Sequence, residues 1–184
     1  NMDFRKNLTP ALLAYDGIQY QYMAPAVLEN DHWKYVQEHV CIISGMYGVV
    51  HPLDGITPYR LEMQTKLKLP GAKNLYDYWG RKIYQEVAKD TDVIINLASK
   101  EYSKCIEKEL DDNIKYIICI FGEYKDDKVI EKGVHVKMAR GEMVRFMAEN
   151  NIKSPEEMKN FSRLGYEFSD KESTETRYVF IKYA

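Results

Sequence analysis

A phenol, a guanidinium, a carboxylate and an ammonium group fall within eight positions of one another: Tyr59, Arg60, Glu62 and Lys66. They close the stretch ISGMYGVVHPLDGITPYRLEMQTKL (Ile42–Leu67), which opens as an apolar run and breaks at Gly45. Arg60 offers a fork of donors suited to carboxylate or phosphate. If Tyr59–Met63 is extended, Arg60 and Glu62 share one face, because side chains alternate along a strand. The two can then hold a ligand together, or simply pair on a loop surface, where an ion pair contributes little. The residues alone leave both readings open.

A second group is NLASKEYSK, Asn96–Lys104. An apolar strand ends here and a helix begins near Ser99. Ligands gather at the carboxyl ends of strands in open α/β sheets, and helix N-termini attract anions. Asn96 and Ser99 are candidates for binding phosphate or carboxylate, and Glu101, Tyr102 and Lys104 for acid/base work. The same residues also describe a well-capped helix, with Ser99 satisfying amides and Glu101 complementing the dipole. A third group, HVKMARGEMVR (His135–Arg145), carries Lys137, Arg140 and Arg145 at an expected strand-to-helix junction. With three cations in nine positions at that junction, it reads as the best local basic patch and a candidate contact for a phosphate backbone. Glu142 sits among them, and Arg140 and Arg145, five apart, share a helix face only loosely.

The elements that position these groups follow from periodicity. Ala11–Tyr15 (ALLAY) reads as a short strand ended by Asp16-Gly17. Asn30 or Asp31 can cap a helix through His39. Val40–Ser44 reads as a strand buried on both faces, with Gly45 and Gly48 allowing the turn after it. Asn74–Ala88 reads as one amphipathic helix, with Leu75, Tyr78, Trp79, Ile83 and Val87 inward. Asp92–Leu97 and Ile114–Phe121 are apolar strands. Asp126-Asp127 marks a hairpin into Val129–Ile130, followed by Val134–Val136 as extended chain. Ala139–Glu149 reads as a helix with Met143, Phe146 and Met147 inward. Ser154-Pro155-Glu156-Glu157 is a helix start. Tyr166–Phe168 and Arg177–Lys182 form a closing antiparallel pair. Strands and helices intermix, so the expected class is α/β or α+β, one compact domain with a mixed sheet and helices around it.

Composition narrows the function. At 184 residues there is material for one domain with a real core. A net charge of −2 means that nucleic-acid binding would need a local basic face. No apolar run reaches the length of a membrane span, and the polar Asn1–Thr9 does not read as a secretory leader. The chain begins Asn-Met, without an obvious first core element. Cys41, Cys105 and Cys119 are widely spaced and read as reduced thiols. The four histidines lack metal-ligand spacing, and no carboxylate–histidine set for iron is evident, so neither a metal nor another cofactor is expected. There is no GxSxG elbow, Walker A or GxGxxG.

Taken in order, SGMYGVVHPLDGITPYRLEMQTKL, LYDYWG, VINLASKEYSK, KMARGEMVRF and GYEF resemble the YaaA family of bacterial peroxide stress resistance proteins, from about Ala11 to Phe180. His51 stands where that family commonly has arginine, and Met138 where it commonly has a second lysine. Family members usually carry further chain upstream, opening with a strand and a Ser-Pro-Ala-Lys motif. The resemblance implies a cytoplasmic protein of the peroxide response that limits unincorporated iron and oxidative damage. It implies a positively charged cleft, a helix-hairpin-helix-like element corresponding to Ala139–Phe161, and binding of double-stranded DNA.

On this resemblance the three groups converge on one cleft. Arg60, Lys66, Lys137 and Arg140 bind phosphate, together with Asn96 and Ser99. Glu62 and Glu101 orient the cations or act as acid/base, and Tyr59 and Tyr102 supply hydroxyl contacts or stack on a base. Lys137, Arg140, Arg145 and Lys153 face DNA. The competing expectation is an enzyme acting on a nucleotide, nucleobase or other anionic small molecule in the same cleft. A monomer with no membrane partner is expected in either case.

Overall fold

The computed structural model describes residues 8–183; the leader reading over Asn1–Thr9 therefore falls largely outside the described residues. In chain order the elements are β1 (Thr9–Pro10), α1 (Ala11–Ala14), α2 (Ile18–Met23), α3 (Asn30–His39), β2 (Ile42–Ser44), β3 (Gly48–Val50) and β4 (Gly55–Ile56). Then come α4 (Leu75–Trp79), α5 (Lys82–Val87), β5 (Val93–Asn96), α6 (Lys100–Glu107), β6 (Lys115–Lys125), β7 (Lys128–Ile130), α7 (Gly133–Glu149), β8 (Tyr166–Phe168) and β9 (Arg177–Lys182). Short 3-10 turns lie at Pro25–Val27 and Pro155–Asn160. The class is mixed α/β. The main sheet runs β5-β6-β9-β8, with β7 added to β6. Its β6·β9 pairing is parallel, whereas β8·β9 and β6·β7 are antiparallel.

Contacts divide the chain into two compact units. The first takes the chain through Ala14, then Val40–Ile94 and Ala98–Tyr116. Its core gathers Met63, Leu75, Ile83, Tyr84, Ile94, Cys105 and Ile106. The hairpin β2–β3 pairs Ile42 with Val50 and Ser44 with Gly48. Gly48 takes φ +78°, and an added Cβ there would meet the Trp79 ring at 2.8 Å, so both backbone and space demand glycine. Trp79 donates its indole N–H to the Gly45 carbonyl at 2.9 Å, fastening α4 to the hairpin turn.

The second unit holds Tyr15–His39, Ile95–Leu97 and the chain from Ile117 onward. Its core is aromatic. Phe121 stacks on Phe180 with ring centroids 5.1 Å apart, and Phe161 and Tyr166 meet Phe121 edge-on. α7 packs against α2 and α3. The small residues Ala139, Gly141 and Ala148 are buried along it, which lets neighbouring backbone come close.

Several expectations are corrected. Ala11–Ala14 is a helical turn: Ala11 and Leu12 are buried while Leu13 is exposed, which is not the alternation of a strand. A short apolar run cannot distinguish the two, and here the Ala11 and Leu12 amides donate to Asp54 and Pro52 carbonyls. The single helix expected over Asn74–Ala88 is two, broken where Gly80 turns to φ +49°. The break leaves Tyr78 exposed rather than inward. Val134–Val136 is helical, because α7 already starts at Gly133 and Val136 shares its buried face with Ala139 and Met143. The whole third cationic group therefore lies within α7. The segment after Ser154 is 3-10 rather than α-helical, although Pro155 stands at its start as expected.

Candidate functional site

In the first unit, Ser44 ends β2, where the strand hands over to the Gly45–Gly48 turn. Its Oγ accepts the amide protons of Met46 (3.2 Å) and Tyr47 (2.9 Å) and lies 2.6 Å from the Tyr59 hydroxyl. A hydroxyl has two acceptor positions and one proton, so the Ser44 proton goes to the Tyr59 oxygen. The Tyr47 ring meets Tyr59 edge-on at 5.3 Å, and its hydroxyl lies 3.0 Å from Thr57 Oγ1. Ser44 and Tyr47 thus hold the Tyr59 phenol in place. Gly45 allows the same loop to close: an added Cβ would sit 2.6 Å from the Leu61 carbonyl oxygen.

Glu101, in the first turn of α6, ties this loop to two helices. Its Oε1 accepts from the Gln64 amide at 3.0 Å, and its carbonyl accepts from the Tyr76 hydroxyl at 2.9 Å. The next residue, Tyr102, is pushed up to about 12 by burial, then by the negative charge of Glu101 and the proximity of Tyr59 and Glu62, against a backbone hydrogen bond from Met63. The four side chains therefore form one neighbourhood of two phenols and two carboxylates. Tyr102 stays protonated across the physiological range, so it is a hydrogen-bond donor rather than a base.

Arg60 and Glu62 are exposed on a stretch that is not a strand, and they make no ion pair among the described residues. Lys66 is exposed two residues beyond Gln64. Ser99 is the N-cap of α6 in extended conformation. Its carbonyl accepts from the Tyr102 and Ser103 amides, but its hydroxyl makes no capping bond.

The remaining candidates belong to the second unit. Asn96 ends β5 and is half-buried. On α7, Lys137 is exposed and Arg140 is half-buried. Burial lowers the Arg140 pKa, opposed by the charge of Glu131 and by Cys119, and its Nε is buried without a hydrogen-bond partner among the described residues. Arg145 Nε donates to Glu149 at 2.7 Å, in a network where Arg163 also reaches Glu149 and, at 3.1 Å, Glu142. The Lys153 ammonium stands 5.8 Å from the centroid of the Tyr35 ring.

Sequence reasoning singled out Tyr59, Glu62, Glu101 and Tyr102, and the structure brings them together. It missed Ser44, Tyr47, Gln64 and Tyr76 as their partners. Ser44 had a legible signal, a hydroxyl closing an apolar strand just before Gly-Met-Tyr-Gly. Tyr76 had none, because its role depends on where α4 ends. Among the described residues no group of three His, Cys, Asp or Glu could hold a metal ion. None of the helices there is long and apolar enough to cross a membrane.

Fold and site together define a mixed α/β protein with a polar phenol-and-carboxylate site in one unit and a recessed guanidinium in the other. The family described as "Peroxide stress protein YaaA" matches residues 1–172. A UPF0246 protein of Lachnoclostridium phytofermentans is 54% identical over 182 residues, 99% of this chain and 71% of that protein. UPF0246 proteins of Agathobacter rectalis (56% over 180 residues) and Desulfitobacterium hafniense (55% over 181 residues) each match 98% of the chain and 72% of their own length. The chain belongs to the YaaA peroxide stress protein family.

Proposed function

We propose that the chain, acting as one cytoplasmic YaaA-like domain and a monomer, binds the phosphate backbone of double-stranded DNA in peroxide-stress defence and helps limit damage from unincorporated iron. The observation that carries the DNA contact is Arg140. Buried guanidinium N–H groups nearly always have an acceptor, and its Nε has none among the described residues. Nε itself has no accessible surface, so a phosphate is met by the accessible part of the half-buried Arg140 side chain, in the charge-assisted geometry arginine favours. Lys137 lies one turn earlier on the same helix, exposed, and adds a second phosphate contact. Lys153 stands in the connection from α7 to the 3-10 turn at Pro155–Asn160, the counterpart here of the family's hairpin element. Arg145 reaches phosphate only by leaving Glu149. The iron part of the proposal rests on family membership alone.

The test is duplex binding as a function of salt for the parent, Lys137→Ala and Arg140→Ala. Each phosphate contact contributes roughly 0.9 to the slope of log K against log salt, so each variant is expected to bind more weakly with a slope shallower by about one. Unchanged affinity and slope in both variants refutes the α7 contact.

A second reading is favoured by the neighbourhood of Tyr59, Glu62, Glu101 and Tyr102. Phenol donors beside carboxylate acceptors suit a small polar molecule, with Arg60 and Lys66 supplying cations for an anionic one. Here Glu62 and Glu101 act as acid/base groups or orient the cations. Turnover or binding of a nucleotide or nucleobase panel, lost in Glu101→Gln, tests it; a panel wholly without binding refutes it.

A further inference from the structure

The first unit carries an open groove of about 500 Å³, walled by the Lys66–Lys68 loop on one side and by Lys73, Asn74 and Tyr76 on the other. The volume lies in the range of small-molecule sites. Its charge is one-signed: the lining includes Lys66, Lys68 and Lys73 and no carboxylate. Two neighbouring acids are already engaged by backbone amides. Glu101 Oε1 accepts from the Gln64 amide, and Asp77 Oδ2 accepts from the Lys73 amide at 2.9 Å.

Two more cations stand at the same aromatic wall. The Lys104 and Lys108 ammonium groups lie 5.0 and 5.5 Å from the centroid of the Tyr76 ring. They are four residues apart on and just after α6, a spacing at which like charges repel. Cation–π attraction to one ring offsets that repulsion and keeps both charges beside the groove wall. Tyr76 is itself held by its hydrogen bond to the Glu101 carbonyl. None of these five ammonium groups, three in the lining and two at the Tyr76 ring, makes an ion pair among the described residues, while Thr65, Gln64 and Asn74 supply polar groups in the lining.

The geometry points to a binding site for a compact ligand bearing a di- or triphosphate chain, held by Lys66, Lys68 and Lys73 with Lys104 and Lys108 as outer cations. The chemistry is shared by nucleoside polyphosphates and inorganic polyphosphate. This deepens the second reading above by naming a ligand class, and it uses residues that reading does not, apart from Lys66. It does not depend on DNA contact by α7.

The test is calorimetric titration of the full chain with inorganic tripolyphosphate, ATP and AMP at low salt. The comparison is between the parent, a Lys66→Gln/Lys68→Gln/Lys73→Gln triple variant, and a charge-matched Lys115→Gln/Lys125→Gln/Lys128→Gln control. The control residues are exposed and make no groove wall. Tripolyphosphate is expected to bind, AMP much more weakly, and the groove variant to lose roughly tenfold or more in affinity, with the control unchanged. ATP binding more tightly than tripolyphosphate identifies a nucleotide as the source; equal affinity identifies the phosphate chain alone. The proposal is overturned if neither triphosphate binds, or if groove and control variants weaken binding equally. It is also overturned if binding is lost in Glu101→Gln but survives in the groove variant, which would leave the second reading standing without the groove. Urea denaturation of each variant separates lost binding from lost folding.

Discussion

Substituting Gly141 by alanine sets two effects of opposite sign against each other on one helix. Gly141 lies inside the seventeen-residue α7, where alanine is favoured over glycine by about 0.5–1 kcal/mol. On helix propensity alone the variant gains stability. Packing opposes it. The added Cβ would sit 2.2 Å from the Gln19 carbonyl oxygen, 2.8 Å from Tyr22 Cβ and 3.0 Å from the Met23 amide nitrogen. Two of these three are backbone atoms of α2, which cannot rotate aside. Restoring ordinary contact requires α2 and α7 to part by about 1 Å, in an interior packed as densely as a crystal. Overpacking of this kind costs typically 1–3 kcal/mol, and with backbone on both sides the upper end, about 3 kcal/mol, applies. The net expectation is a loss of about 2 kcal/mol, or about 4–8 °C in melting temperature for a chain of this size. Gly133→Ala is the control, at the first residue of the same helix, with nothing within 4 Å of the added Cβ. It is expected to be neutral or to gain a few tenths of a kcal/mol. Urea denaturation followed by circular dichroism, with equal m-values, reads both. If Gly141→Ala matches or exceeds the parent, the close approach of α2 to α7 is refuted.

Three further outcomes follow from buried and half-buried groups. Burial pushes the thiols of Cys41 and Cys105 up to about 11 and that of Cys119 up to about 12. A thiolate is the form that reacts with peroxide, so millimolar hydrogen peroxide at pH 7.5 should leave all three thiols titratable after unfolding; rapid loss of any one in the native protein contradicts the burial described. The same shifts make stability fall as pH rises past about 9, where the unfolded chain ionises thiols that the folded chain keeps protonated. Glu149 behaves in the opposite sense. Burial raises its pKa, but hydrogen bonds from Arg163 and Arg145 outweigh that and hold its carboxyl below the usual range. Its contribution is therefore full above the unfolded value of 4.5 and is lost as pH falls through the folded one. Urea midpoints measured from pH 7 to pH 3 should fall less steeply for Glu149→Gln than for the parent; parallel curves would remove the Arg163–Glu149–Arg145 network from the stability of this unit.

Much of the fold was legible because its cause is local. Strongly patterned segments such as α3, β5 and the closing pair β8–β9 carry their own period, and the Asp126-Asp127 hairpin carries its own turn chemistry, with both residues at positive φ. Segments where local signals are ambiguous went the other way. ALLAY is too short for its period to be read, and Gly80 inside an amphipathic pattern allows a continuous helix or a break with equal ease. Which of these forms depended on distant partners: the Pro52 and Asp54 carbonyls for Ala11 and Leu12, and the hairpin turn that receives the Trp79 indole.

The site divides along the same line. Residue type and spacing sufficed to mark Tyr59, Glu62, Glu101, Tyr102 and Arg140 as chemically unusual and to place the chain in its family. Only the folded chain put Glu101 on the Gln64 amide, Tyr102 among three acidic or phenolic neighbours, three lysines around one groove and two more at its Tyr76 wall. It also left the Arg140 Nε buried without an acceptor among the described residues. Charge and hydrogen-bonding capacity are properties of a side chain and are written in the sequence. Proximity and desolvation belong to pairs of residues tens of positions apart, and they come into being when the core closes.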